Sequence, residues 1–95
     1  MTYKLTNKAA ADYARLYQYG IENFGYEQAE CYAEGMEQRF EAIGNSPFMY
    51  PLADQYLEGC RRSVYGVHSI YYRQSQACAE IVRIISREDI EEALK

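Results

Sequence analysis

Apolar residues recur with two different periods along this chain, and the change of period divides it in half. Thr2-Tyr3-Lys4-Leu5-Thr6 alternates polar and apolar positions, the pattern of a short strand. Thr6 or Asn7 offers a side-chain oxygen to an orphan N–H at a helix start. Ala9, Tyr13, Leu16, Tyr17, Gly20 and Phe24 then recur at helical spacing up to Gly25, a residue that tolerates left-handed geometry. Ala29, Tyr32, Met36, Phe40 and Ile43 form a second stripe, in steps of three and four, with Glu27, Glu30, Glu34, Glu37 and Glu41 on the opposite side. Gly44-Asn45 ends that helix and Pro47 prevents its resumption. So short a link at Gly25 folds the two helices back as an antiparallel hairpin.

Asn45 to Glu58 carries both prolines, Pro47 and Pro51, and no period, so an ordered but irregular crossing loop is expected. Beyond it Cys60–Tyr65, Val67–Arg73 and Ala77–Ile85 are rich in Val, Ile and Tyr, the composition of strands. Gly66 and Gln74-Ser75-Gln76 separate them by links short enough for hairpins, giving an antiparallel meander. Ile81-Val82-Arg83-Ile84-Ile85 is apolar on both faces apart from one arginine, which predicts a central strand. Ser86-Arg87-Glu88-Asp89 reads as a capping box opening a short helix through Leu94. The predicted fold class is α+β in a single domain over residues 1–95. It has an N-terminal strand, an antiparallel helical hairpin packed on a mostly antiparallel three- to four-stranded sheet, and a short C-terminal helix.

Composition adds three constraints. At 95 residues the core is thin, since folding hides only about two-thirds of the surface of so short a chain. Eleven tyrosines and no tryptophan suit half-buried positions, most completing the core and a few meeting a partner. Cys31, Cys60 and Cys78 form no C-x-x-C pair, so free thiols are expected and neither a metal nor a cofactor. No apolar run follows Met1, and nothing approaches the roughly 20 apolar residues that span a bilayer. A soluble, cytoplasmic protein without membrane contact is the expectation.

Charge is segregated. From Glu22 to Glu41 six acids face Arg39 alone, a balance of −5; from Cys60 to Arg87 five arginines face Glu80, a balance of +4. The acidic helix reads as a solvated face. The arginines, with almost no acids in their own segment, read as candidates for carboxylate or phosphate contacts.

Several strings, in this order, resemble the ParE branch of the ParE/RelE toxins. Leu5-Thr6, Asp12-Tyr13, Leu16 and Tyr19 are similar to that family's first helix, and Phe24-Gly25, Gln28-Ala29 and Tyr32 to its helix junction. Phe40, Ile43 and Pro47 are similar to the end of its second helix. Gly59-Cys60-Arg61-Arg62, His68-Ser69-Ile70-Tyr71-Tyr72-Arg73 and Glu80-Ile81-Val82-Arg83-Ile84-Ile85 resemble its three consecutive strands. The likeness runs from Tyr3 to about Ile90. It implies the toxin of a type II toxin–antitoxin module, neutralised by a ParD-like antitoxin, a ribbon–helix–helix protein with a flexible C-terminal segment. DNA would be met only indirectly, through the antitoxin. ParE-like members poison DNA gyrase; RelE-like members cut messenger RNA on the ribosome.

The site must decide between them, because the fold is shared. A ribonuclease needs a base, an acid and cations. Arg61, Arg62, Arg83 and Arg87 supply cations, but a proton shuttle is harder to find. His68, the single histidine, shares a face with Ile70 and Tyr72 by alternation, which reads as structural. Where RelE-like nucleases usually carry tyrosine or histidine, this chain has Ser86 and Arg87, followed by acids; the ParE pattern usually has histidine at Ser86. A non-enzymatic gyrase poison with no catalytic residues is therefore the first reading, with Arg61, Arg62, Arg83 and Arg87 as target-binding candidates. A RelE-type endonuclease is the alternative, in which Tyr71 or Tyr72 would act beside an arginine. Tyr17, Ile21 and Phe24 on the first helix, and Tyr50, Tyr56 and Leu57 near the loop, are the candidates for an apolar antitoxin groove.

Overall fold

A computed structural model describes residues 3–86. It contains β1 (Tyr3–Leu5), α1 (Asn7–Phe24), α2 (Tyr26–Asn45), β2 (Arg61–Tyr65), β3 (His68–Gln74) and β4 (Ala79–Ser86). The helix expected from Ser86 to Leu94 lies outside the described residues apart from Ser86.

Thr6 starts α1 and fastens it to the sheet. Its Oγ1 accepts the Ala9 N–H at 3.1 Å, the bond of an N-cap, and donates to the Val82 carbonyl at 2.9 Å. Gly25 alone joins the two helices. At φ 89° and ψ 160° it stands in a region essentially reserved for glycine, its N–H on Ile21 O and its carbonyl on Ala29 N–H. At the crossing, a Cβ on Gly20 would come within 3.3 Å of the Ala29 Cβ, so the missing side chain lets the helices approach.

The sheet order is β1-β4-β3-β2. β2, β3 and β4 form the expected meander, and β1 lies parallel to β4, which is thereby central. Ala9, Met36, Phe40 and Ile43 pack from the helices onto Ile70, Tyr72, Ala79, Ile81 and Ile84. On the other face, Ala53, with Leu57 beside it, covers Cys60, Tyr71 and Ile85 in a smaller cluster.

One irregularity explains why β4 is apolar on both faces. Tyr72 pairs with Ile81 but Tyr71 with Arg83, so Val82 is an extra residue, a bulge. Ile81 and Ile84, three apart, consequently both meet the helices, while Val82 and Ile85 join the opposite cluster.

The crossing loop is more regular than its sequence suggests. Ala53 N–H donates to Cys60 O and Arg62 N–H to Pro51 O, with Leu52 bridged to Arg61. Residues 51–53 therefore line the β2 edge as a single antiparallel bridge, which helps protect that edge from pairing with other chains. Pro51 is compatible because it contributes a carbonyl and no donor.

Candidate functional site

The arginines do not converge. Arg61 and Arg62 are neighbours on β2 and so face opposite ways. Arg61 Nη1 donates to Tyr50 O at 2.7 Å and its guanidinium lies 5.2 Å from the Phe48 ring centre. Arg62 stacks 4.8 Å over Tyr56, on the side of Tyr71. Its charge is favoured by the nearby Tyr71 and Tyr56 hydroxyls despite partial burial. Arg73 is paired with Glu80 at 2.7 Å, and Arg39 bonds Ser63 Oγ and Val64 O between the rings of Tyr50 and Tyr65. Arg87 lies outside the described residues.

Arg83 is engaged inside the fold. Its Nε and Nη2 donate to the two carboxylate oxygens of Asp12, at 2.8 and 3.2 Å. The Asp12 side chain, 4% exposed, also accepts the Ile84 N–H at 3.0 Å and Arg15 Nη2 at 2.7 Å. This pairing raises the guanidinium pKa further, against the opposing effect of burial. Beyond Leu5, where β1 ends, the side chains of Thr6 and Asp12 thus occupy the edge of β4. Asp12 was not among the expected functional or core residues. Its spacing was a signal, since it lies three residues after Ala9 and four before Leu16, within the apolar stripe.

His68 shares a face with Ile70 and Tyr72, as alternation predicted, and that face is the one the helices cover. Its Nδ1 is 2.8 Å from the Tyr32 hydroxyl, and burial lowers its pKa from the ordinary 6.5. Tyr72 sits on the same side, bonded through its hydroxyl to Pro47 O, whereas Tyr71 faces the other way. Of the groups weighed for proton transfer, His68 stands on the opposite face of the sheet from Arg62, whereas Tyr71 and Tyr56 lie beside that guanidinium. The thiols are free, and burial raises the pKa of Cys60.

The six groove candidates occupy three places. Tyr17 and Phe24 line a cavity of about 270 Å³ with Leu16, Gly20, Ala29 and Val67. Ile21 is half-buried beside it on α1. Tyr50 packs edge-on against Tyr72 at the main core. Tyr56 and Leu57 lie on the opposite face of the sheet, near Tyr71. Sequence reasoning missed the exposed rings of Tyr19 and Tyr26 near this groove. It also missed Phe48, Met49 and Leu52, which are exposed along the crossing loop.

The acids of α2 are not merely solvated. Tyr17 donates a short hydrogen bond to Glu30, and Tyr13 donates to Glu37 Oε2 at 3.1 Å, so two glutamates tie α2 to α1. The Glu30 bond is the main reason that the Tyr17 pKa is pushed up to about 12.

Three comparisons place this geometry among known proteins. Residues 3–91 match the family described as the ParE toxin of the type II toxin–antitoxin system parDE. Toxin ParE1 of Caulobacter vibrioides is 31% identical over 83 residues, covering 87% of this chain and 85% of that protein. A chain of a chromosomal ParDE toxin–antitoxin system from P. aeruginosa superposes with a TM-score of 0.77 at 22% identity, covering 90% of this chain and 95% of the other. That last match speaks to the fold.

Proposed function

The chain belongs to the ParE toxins of type II toxin–antitoxin systems, and from that membership we propose that it arrests growth by binding and poisoning DNA gyrase in the cytoplasm. A cognate ParD-like antitoxin holds it inactive. The observation that carries the reading is the family match over residues 3–91. A binding mode of action, rather than RNA cleavage, is supported by how the candidate groups are used. Arg83 is bound to Asp12, and His68 faces Tyr32 on the side of the sheet away from Arg62 and Tyr71. The target surface is then centred on Arg62, the arginine of β2 that faces away from the helices, with Arg87 as a further candidate. No helix among the described residues is long and apolar enough to cross a membrane.

The antitoxin segment docks in the cavity at the turn of the helical hairpin, against Tyr17, Ile21 and Phe24. An apolar concavity lined by exposed rings is the kind of surface that an amphipathic segment covers. Binding only the folded toxin, the antitoxin also stabilises it.

The test is supercoiling by purified gyrase with and without the protein, scoring linear DNA from trapped cleavage complexes. Inhibition with trapped cleavage is expected. No effect at large excess overturns the gyrase reading, and ribosome-dependent transcript cleavage would replace it with the endonuclease one.

A further inference from the structure

We propose that the groove at the hairpin turn selects a partner segment whose apolar residues are flanked by lysine or arginine. This rests on the reading that the antitoxin docks there, and it specifies the chemistry of the docking segment.

Two independent features meet at this place. The first is apolar. Tyr19, Phe24 and Val67 are 61%, 59% and 64% exposed, and Leu16, Gly20 and Ala29 line the same concavity. A cluster of large exposed apolar side chains on a small monomer marks a contact surface.

The second feature is charge. From Leu16 to Gln38 the chain carries no lysine or arginine and five glutamates: Glu22, Glu27, Glu30, Glu34 and Glu37. The flanking cations are directed elsewhere, Arg15 to Asp12 and Arg39 to Ser63. Glu30 is brought to the rim by Tyr17, itself part of the lining. Among residues 16–38 the hairpin around this apolar floor therefore carries only negative charge, with Glu30 at the rim and Glu22 and Glu27 on either side of the turn in the sequence. An arginine beside the inserted side chain can lay its stem along the exposed rings and place its head on a glutamate. An acidic segment, or a nucleic acid backbone, would meet uncompensated like charge there.

The probes are two fluorescent amphipathic peptides with the same leucines at helical spacing, one flanked by arginine and one by glutamate. Anisotropy is measured against the full chain. The arginine peptide is expected to bind at least about tenfold tighter and to weaken as salt rises. Glu22→Lys with Glu27→Lys, both exposed, should erase the preference, and Phe24→Ser should weaken the arginine peptide, with unchanged melting of both variants as the control for folding. Equal binding of the two peptides, no binding of either, or a preference that survives the double reversal overturns the proposal. The purified cognate antitoxin is then added as competitor. Competition supports both readings. A bound arginine peptide that the antitoxin fails to displace keeps the groove's selectivity and removes the antitoxin from this site.

Discussion

Tyr32 on α2 and Tyr65 on β2 hold each other by the same bond made twice. The Tyr32 hydroxyl donates to Tyr65 O at 3.1 Å, and the Tyr65 hydroxyl donates to Tyr32 O at 3.0 Å, with the rings 4.9 Å apart. The Tyr32 oxygen also accepts from Val67 N–H at 3.3 Å and shares a hydrogen bond of 2.8 Å with His68 Nδ1. Glycine is required on both sides of this contact. A Cβ on Gly35 would overlap the Tyr65 hydroxyl, and one on Gly66 would stand 2.5 Å from the Tyr32 oxygen. Gly66 also has φ 56°, the left-handed backbone that a tight hairpin turn needs at its first central position.

Removing the Tyr32 hydroxyl leaves three polar groups to find other partners. Tyr32→Phe should therefore cost about 1–3 kcal/mol, and Tyr65→Phe, which frees only the Tyr32 carbonyl, less. Urea unfolding of the two variants checks the order. Equal losses would mean that the histidine and Val67 contacts contribute nothing.

Acid should weaken the fold through His68. Burial lowers its pKa, so below the ordinary 6.5 the unfolded chain takes up the proton more readily than the folded one. The contribution is complete above 6.5 and is lost as pH falls from there through the lowered folded value. His68→Gln should flatten this part of the stability profile, measured as urea midpoints at a series of pH values. An unchanged slope would assign the acid sensitivity to other groups.

Asp12→Ala should be among the most damaging single changes. It leaves Arg83 and the Ile84 N–H uncompensated at the edge of β4, a loss of about 3–5 kcal/mol from a total that for small domains is about 5–15. Arg15→Ala, by contrast, removes a largely exposed partner and should cost about 1 kcal/mol or less. Thermal melts of the two proteins, alongside Asp12→Asn, separate the carboxylate's charge from its shape.

Toxicity in cells should distinguish the arginines. Arg83→Ala should lose growth arrest only in proportion to its lost stability, because its guanidinium serves Asp12. Arg62→Ala should lose growth arrest while the fold is largely retained, since it gives up the stacking on Tyr56 and its contacts with the Tyr71 and Tyr56 hydroxyls, about 1 kcal/mol each. Full toxicity of the Arg62 variant would remove this part of the sheet from the target surface.

The elements could be read from the sequence because the signals were local. The stripe through Met36, Phe40 and Ile43, the break at Gly25 and the change to β-rich segments at Cys60 each depend on residues near one another in the chain. The site was less legible, since its contacts are long-range. A run of charge did not reveal that Arg61 and Arg62 diverge, that Arg83 is bound 71 positions away, or that Glu30 and Glu37 hold tyrosines of α1. Apolar character alone does not separate Tyr17 and Phe24 at the hairpin turn from Tyr50 in the core.

Placing β4 between β1 and β3 has a consequence for synthesis. The strand that completes the sheet's centre leaves the ribosome after all the other strands, and both β1 and the Asp12 carboxylate must wait for it. Until then the helical hairpin has no Ile81 or Ile84 to cover and the first strand has no neighbour. Contacts so distant in sequence form slowly, and a nascent domain lacking its central strand has no closed core. A chain released before β4 has been made would be a substrate for proteolysis, so the molecule gains its shape only once the last of its described strands is in place.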